Sequence, residues 1–170
     1  MWCSAAAPRG VEKDTRREQL MEPSSPTPEA WHYGAELLKA GDIDAGLAVL
    51  QNVVARKPDD LAERQALREL ERKIRSQQKA DEQLASAALT EVWWEIRQAK
   101  RKRAENLIDW DAIDRAAERG LAIDPWDVEL HLELGHACRA RGYPEVARFA
   151  YRCAFEIAPH RADIEKYLAE

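Results

Sequence analysis

The chain of 170 residues has little of what catalytic, secreted and membrane-bound folds depend on. Its three cysteines, Cys3, Cys138 and Cys153, form no CxxC pair and no zinc spacing, so Cys138 and Cys153 read as small core residues. No apolar run approaches the ~20 residues of a membrane-spanning helix. The opening MWCSAAAPRGVEKDTRRE lacks a basic segment leading into an apolar one, so no secretory signal is expected, and the default setting is reduced and cytoplasmic. There is no Gly-rich phosphate loop, no nucleophile elbow and no pair of acids in an apolar setting. The 31 acidic residues read as scattered along solvated helix faces, so neither catalysis nor a cofactor is expected. His131 and His136 are five apart and do not share a helix face, which argues against a metal site. A broad basic footprint is missing as well. The net charge is −5: residues 61–105 carry 11 Lys and Arg against 8 acids, and the remainder 15 against 23. That balance argues against a nucleic-acid partner.

What remains is helical. Gly and Pro are scarce inside the periodic segments, and nothing alternates as a strand does, so the class is all-α. With 45% hydrophobic residues the chain can bury one sizeable core, and one domain over 27–170 is expected. Residues 1–26 are rich in Pro, Ser, Arg and Glu and cannot bury enough apolar area to offset their ordering entropy, so they are expected to be disordered.

The most ordered pattern runs from Val128 to Arg161. Two helix-length runs flank a turn at Gly142-Tyr143-Pro144, and Pro159 ends the second. Small residues at Gly135, Ala147 and Ala154 mark close helix crossings, and Leu134, Cys138 and Tyr151 fill the spaces between them. The pattern recurs. Ala147, Tyr151 and Pro159 correspond to Gly46, Leu50 and Pro58, and to Ile113, Ala117 and Pro125. Tyr33-Gly34, Leu37 and the turn Gly41-Asp42-Ile43 extend the first copy, whereas the copy ending at Pro125 matches only in its second helix.

This order of large and small residues resembles the tetratricopeptide repeat, a helix–turn–helix unit of 34 residues that stacks on copies of itself. The resemblance implies a right-handed solenoid of stacked antiparallel helical hairpins, with repeats at 27–60, 94–127 and 128–161. The segment 61–93 fits either a degenerate repeat or a long charged helix with a connector. Its run LAERQALRELERKIRSQQK has Leu67, Leu70 and Ile74 on one face and no turn before Gln78, which favours the long helix. A further helix is expected from Leu89 to about Ala104, and 162–170 looks like the start of a helix that covers the end of the stack.

The resemblance also implies a role: a non-catalytic scaffold for protein–protein interaction, holding a peptide or helix in a concave groove lined by the first helices. On the matching helices these positions are Trp31, Ala35 and Leu38, then Gln98 and Lys102, then Leu132, His136 and Arg139. Some members of the family clamp a C-terminal carboxylate with Lys and Asn where this chain has Trp31 and Ala35, so that ligand class is rejected. The alternative is electrostatic capture of an acidic protein or nucleic acid by Lys100–Arg103.

Overall fold

Eight segments with helical spacing become eight helices, and no strand occurs among the described residues, which are 28–77, 82–101 and 107–169 of the computed structural model. The helices are α1 (Pro28–Lys39), α2 (Ile43–Arg56), α3 (Leu61–Gln77), α4 (Glu82–Arg101), α5 (Trp110–Ile123), α6 (Val128–Ala140), α7 (Pro144–Ile157) and α8 (Ala162–Ala169). The tail expected at 1–26 lies outside the described residues. No helix among them is long and apolar enough to cross a membrane.

Six helices form three hairpins, α1 with α2, α4 with α5 and α6 with α7. The first and last hairpins turn by the same device. The N–H of Asp42 reaches Leu37 O at 3.0 Å and that of Gly41 reaches Leu38 O at 3.1 Å; Tyr143 to Cys138 and Gly142 to Arg139 repeat both bonds at 2.9 and 3.1 Å. This pairing of a six-residue and a four-residue bond needs a left-handed residue after the helix, and Gly41 and Gly142 supply it with φ of 89° and 84°. The second helices also end alike. Lys57, Asp124 and Ala158 take φ of −130°, −131° and −130°, because the following proline pushes each out of the helical region.

Inside the hairpins the small residues stand where the sequence placed them. A Cβ on Gly34 would come within 2.7 Å of Leu50, and one on Gly135 within 2.3 Å of the Tyr151 ring. Ala147 is 2% exposed at the same crossing, so Ala147→Leu should cost about 1–3 kcal/mol through overpacking. Ala140 is exposed, and Ala140→Leu should leave the unfolding free energy within about 0.5 kcal/mol of the parent in urea. Equal losses at the two sites would contradict this packing.

The helix α3 belongs to no hairpin. It packs against α2, α5 and α7, the second helices of all three hairpins, and makes no backbone approach to α4. It runs unbroken to Gln77 as its composition predicts. The next helix starts at Glu82, seven residues before the expected Leu89, because the good helix formers of EQLASAA extend it N-terminally. Two apolar clusters result. One joins α4 to α8 around Ile96, Ile113, Leu121, Leu134 and Tyr151; the other joins α1, α2 and α3 around Leu47, Leu50, Leu67 and Ile74, with Ala122 of α5. The last helix, α8, covers the final hairpin through buried Ile164 and through Tyr167, which stacks on Tyr151 with ring centroids 5.1 Å apart.

Candidate interaction surfaces

Of the residues expected to line a groove, Lys102 lies outside the described residues. Trp31, half-buried, packs with Leu38 against the α1–α2–α3 cluster, and Leu38 fills the space over Gly46. Ala35 is partly buried on the same helix. Leu132 is 5% exposed and belongs to the larger core, so it supports its helix from beneath. His136 and Arg139 do come together, with His136 4.8 Å from the Tyr167 ring and the Arg139 guanidinium 5.8 Å from it. Burial holds the His136 imidazole below its ordinary pKa. Gln98 is exposed on α4, one turn from Trp94, which is 56% exposed. No Cα of α1 comes within 8 Å of α4 or α6, so the two groups of candidates do not share one wall. In the basic run, Lys100 reaches Glu133 of α6 at 2.5 Å, and Arg101 is exposed.

Reading the acids as solvated is overturned at three positions. Glu71, Asp114 and Glu118 are buried, and so are Arg64 and Arg68 of α3. Arg64 grips Asp114 with two bonds of 2.9 Å, reaches Glu118 at 2.7 Å, and sends its Nε to Pro58 O at 2.8 Å. Arg68 binds Glu71 and reaches Glu118 at 2.7 Å, and Arg141 closes the cluster on Asp114. The spacing explains the match: Arg64 and Arg68 are one turn apart on α3, as Asp114 and Glu118 are on α5. Two charges so placed can be taken out of water only together.

The cluster sets opposing proton affinities. Burial acts to raise the Glu118 carboxyl, but Arg68 and Arg64 together hold it below the ordinary carboxylate range. For Glu71 burial wins over Arg68 and pushes the carboxyl up to about 8. His131, fully buried on α6 with Nε2 3.0 Å from Pro125 O, is pushed down to about 3 by burial, with Arg68 and Arg72 adding to the shift. The Cys138 thiol is raised to about 12 by burial and nearby Asp114, which keeps it protonated as a core group.

A stability profile follows. The tight proton on Glu71 stabilises the fold fully below 4.5, and that contribution is lost as pH rises through about 8. Neutral His131 stabilises fully above 6.5, and its contribution is lost as pH falls through about 3. Each slope is about 1.4 kcal/mol per pH unit, and the two cancel where they overlap. The contributions of these two groups should therefore cancel between pH 4.5 and 6.5 and lower the urea midpoint on both sides. Glu71→Gln should remove the alkaline fall; if it persists unchanged, another group is responsible.

Beside this cluster a gap opens between hairpins. No Cα of α2 lies within 8 Å of α4. The space between them is a hollow of about 320 Å³ over α5, and it adjoins a hollow of about 290 Å³ between α2 and α5 with which it shares Ala48, Gln51 and Arg119. The α2 wall is small and apolar at Ala48, and the opposite wall carries Ala88 and Glu91, while Ala55 lines the adjoining hollow. The floor is charged, with Arg115 paired to Asp111 and Arg119 to Glu95. This gap was not legible in the sequence, because it depends on how distant helices are spaced around α3. Among the described residues, no three His, Cys, Asp or Glu side chains are grouped to hold a metal ion. No protein-family model matches the chain, and no curated protein matches its sequence.

Proposed function

We propose that the chain is a non-catalytic protein-interaction module, a right-handed stack of hairpins of the tetratricopeptide kind, which takes a partner helix in the gap between α2 and α4. The observation that carries this reading is the uncovered face of α2. Farther along, α5 packs on the first helix of the next hairpin, where Gly120 meets Leu130. In the corresponding place α2 has no such neighbour, since α3 crosses the second helices instead of forming a hairpin. A helix laid there would restore the stacking pattern. Ala48 and Ala88 in the gap and Ala55 in the adjoining hollow allow its close approach, and the mixed charges of Asp44, Glu91 and Arg119 favour a partner with a narrow apolar stripe flanked by both signs. The surface at His136 and Arg139 supports the reading less, because the chain's own Tyr167 covers it.

Substitutions that fill the gap test this. Ala48 and Ala55 are exposed, so Ala48→Arg with Ala55→Arg should keep the melting temperature while reducing partner capture roughly a hundredfold, the effect of a lost hot spot. Arg101→Glu serves as the control for the basic run. If Arg101→Glu abolishes capture, the gap variant leaves it intact and binding falls steeply with salt, the electrostatic alternative holds.

A further inference from the structure

A third hollow lies between α3 and α7, and it does not depend on the partner reading. It measures about 330 Å³, at the small end of the range for ligand pockets, and arginines line it from both helices: Arg68 and Arg72 from α3, Arg152 from α7. The side chain of Arg68 is 3% exposed, and both its terminal nitrogens are taken by Glu71 and Glu118. Its Nε is buried and has no acceptor among the described residues. Arg72 gives one terminal nitrogen to Glu156 at 3.4 Å, while its Nε and Nη2 are also buried without an acceptor. Buried donors left bare cost about 1–3 kcal/mol each, more when charged, so three on two guanidiniums that line one hollow call for an acceptor.

We infer that this hollow is a binding site for a tetrahedral oxyanion, phosphate free or as a small monoester. The edge of a guanidinium formed by Nε and Nη2 is the fork that takes two oxygens of one anion side by side. A carboxylate would use both its oxygens on the Arg72 fork and leave Arg68 Nε bare. A phosphate has a third oxygen for Arg68 Nε and a fourth to turn toward exposed Arg152 at the rim. The two acids that line the hollow, Glu69 and Glu156, are both exposed. Gln65 adds a neutral amide, and Phe149 with Cys153 gives an apolar edge on which the organic part of a monoester would rest.

Thermal unfolding of the full chain in sodium phosphate, against sodium acetate and sodium chloride at matched ionic strength, tests the assignment. Phosphate should raise Tm saturably, by about 5–10 °C at a hundredfold excess over Kd, and acetate and chloride should not. Arg72→Gln should weaken phosphate binding roughly tenfold or more. Arg152→Gln, at an exposed position that leaves the buried cluster intact, should weaken it severalfold without changing the Tm in chloride. Phenyl phosphate binding more tightly than inorganic phosphate would assign the site to monoesters, and equal binding to the free ion; both support it. A phosphate effect no larger than that of chloride overturns the proposal. So does acetate acting as strongly as phosphate, or a phosphate effect that both arginine variants leave intact.

Discussion

Glu118→Ala should lower the unfolding free energy by about 3–5 kcal/mol, far more than the loss of an exposed acid. Glu118 is the acceptor shared by Arg64 and Arg68, at 2.7 Å from each, and all three are buried. Without it two guanidiniums stay out of water with less compensation than their desolvation demands. The cost comes from the charges left behind. Replacing Arg64, Arg68, Glu71, Asp114 and Glu118 together by apolar side chains of similar volume should thus be near neutral or stabilising. Urea unfolding of the single and combined variants checks both halves. A single-site loss below about 1 kcal/mol would show that water reaches the cluster, and α3 would then be a surface helix.

The second large effect is expected at Tyr151, and Tyr151→Ala should cost about 3–5 kcal/mol. The ring is 1% exposed, lies against Gly135 and stacks on Tyr167, with His136 edge-on at 5.7 Å. Its loss would open a cavity and remove the platform on which α8 rests. Backbone amides of α8 should exchange faster in Tyr151→Ala than in Leu50→Ala, the equivalent truncation in the first hairpin. Unchanged protection of α8 would mean that Ile164 alone holds it in place.

The hairpins were legible in the sequence because their determinants are local. Gly41 and Gly142 permit the turn, Pro58, Pro125 and Pro159 end the second helices, and Gly34 with Leu50 repeats as Gly135 with Tyr151. Each device acts within one unit of the chain. The site was not legible, because it depends on where α3 crosses. Apolar spacing identifies Leu67 and Ile74 as an inward face, but Arg64, Arg68 and Glu71 share that face. Nothing near them in sequence says so: their partners Asp114 and Glu118 are 50 or more residues away. The i, i+4 match of two arginines on one helix with two acids on another was the available signal, and the abundance of exposed charged pairs obscures it. Burial of Leu132 was equally unreadable, since its helix is covered by both α5 and α7.

The most direct test of the gap as the partner surface is site-specific photocrosslinking in cells. A photoreactive side chain at Ala48 or Ala88, on opposite walls of the gap, should yield the same partner adduct from both positions. The same group at Gln98 or Arg139 should yield little, since those positions lie on surfaces away from α2. Strong adducts from Gln98 and Arg139, with none from Ala48 or Ala88, would contradict the assignment and move the binding surface to the face of α4, α6 and α8.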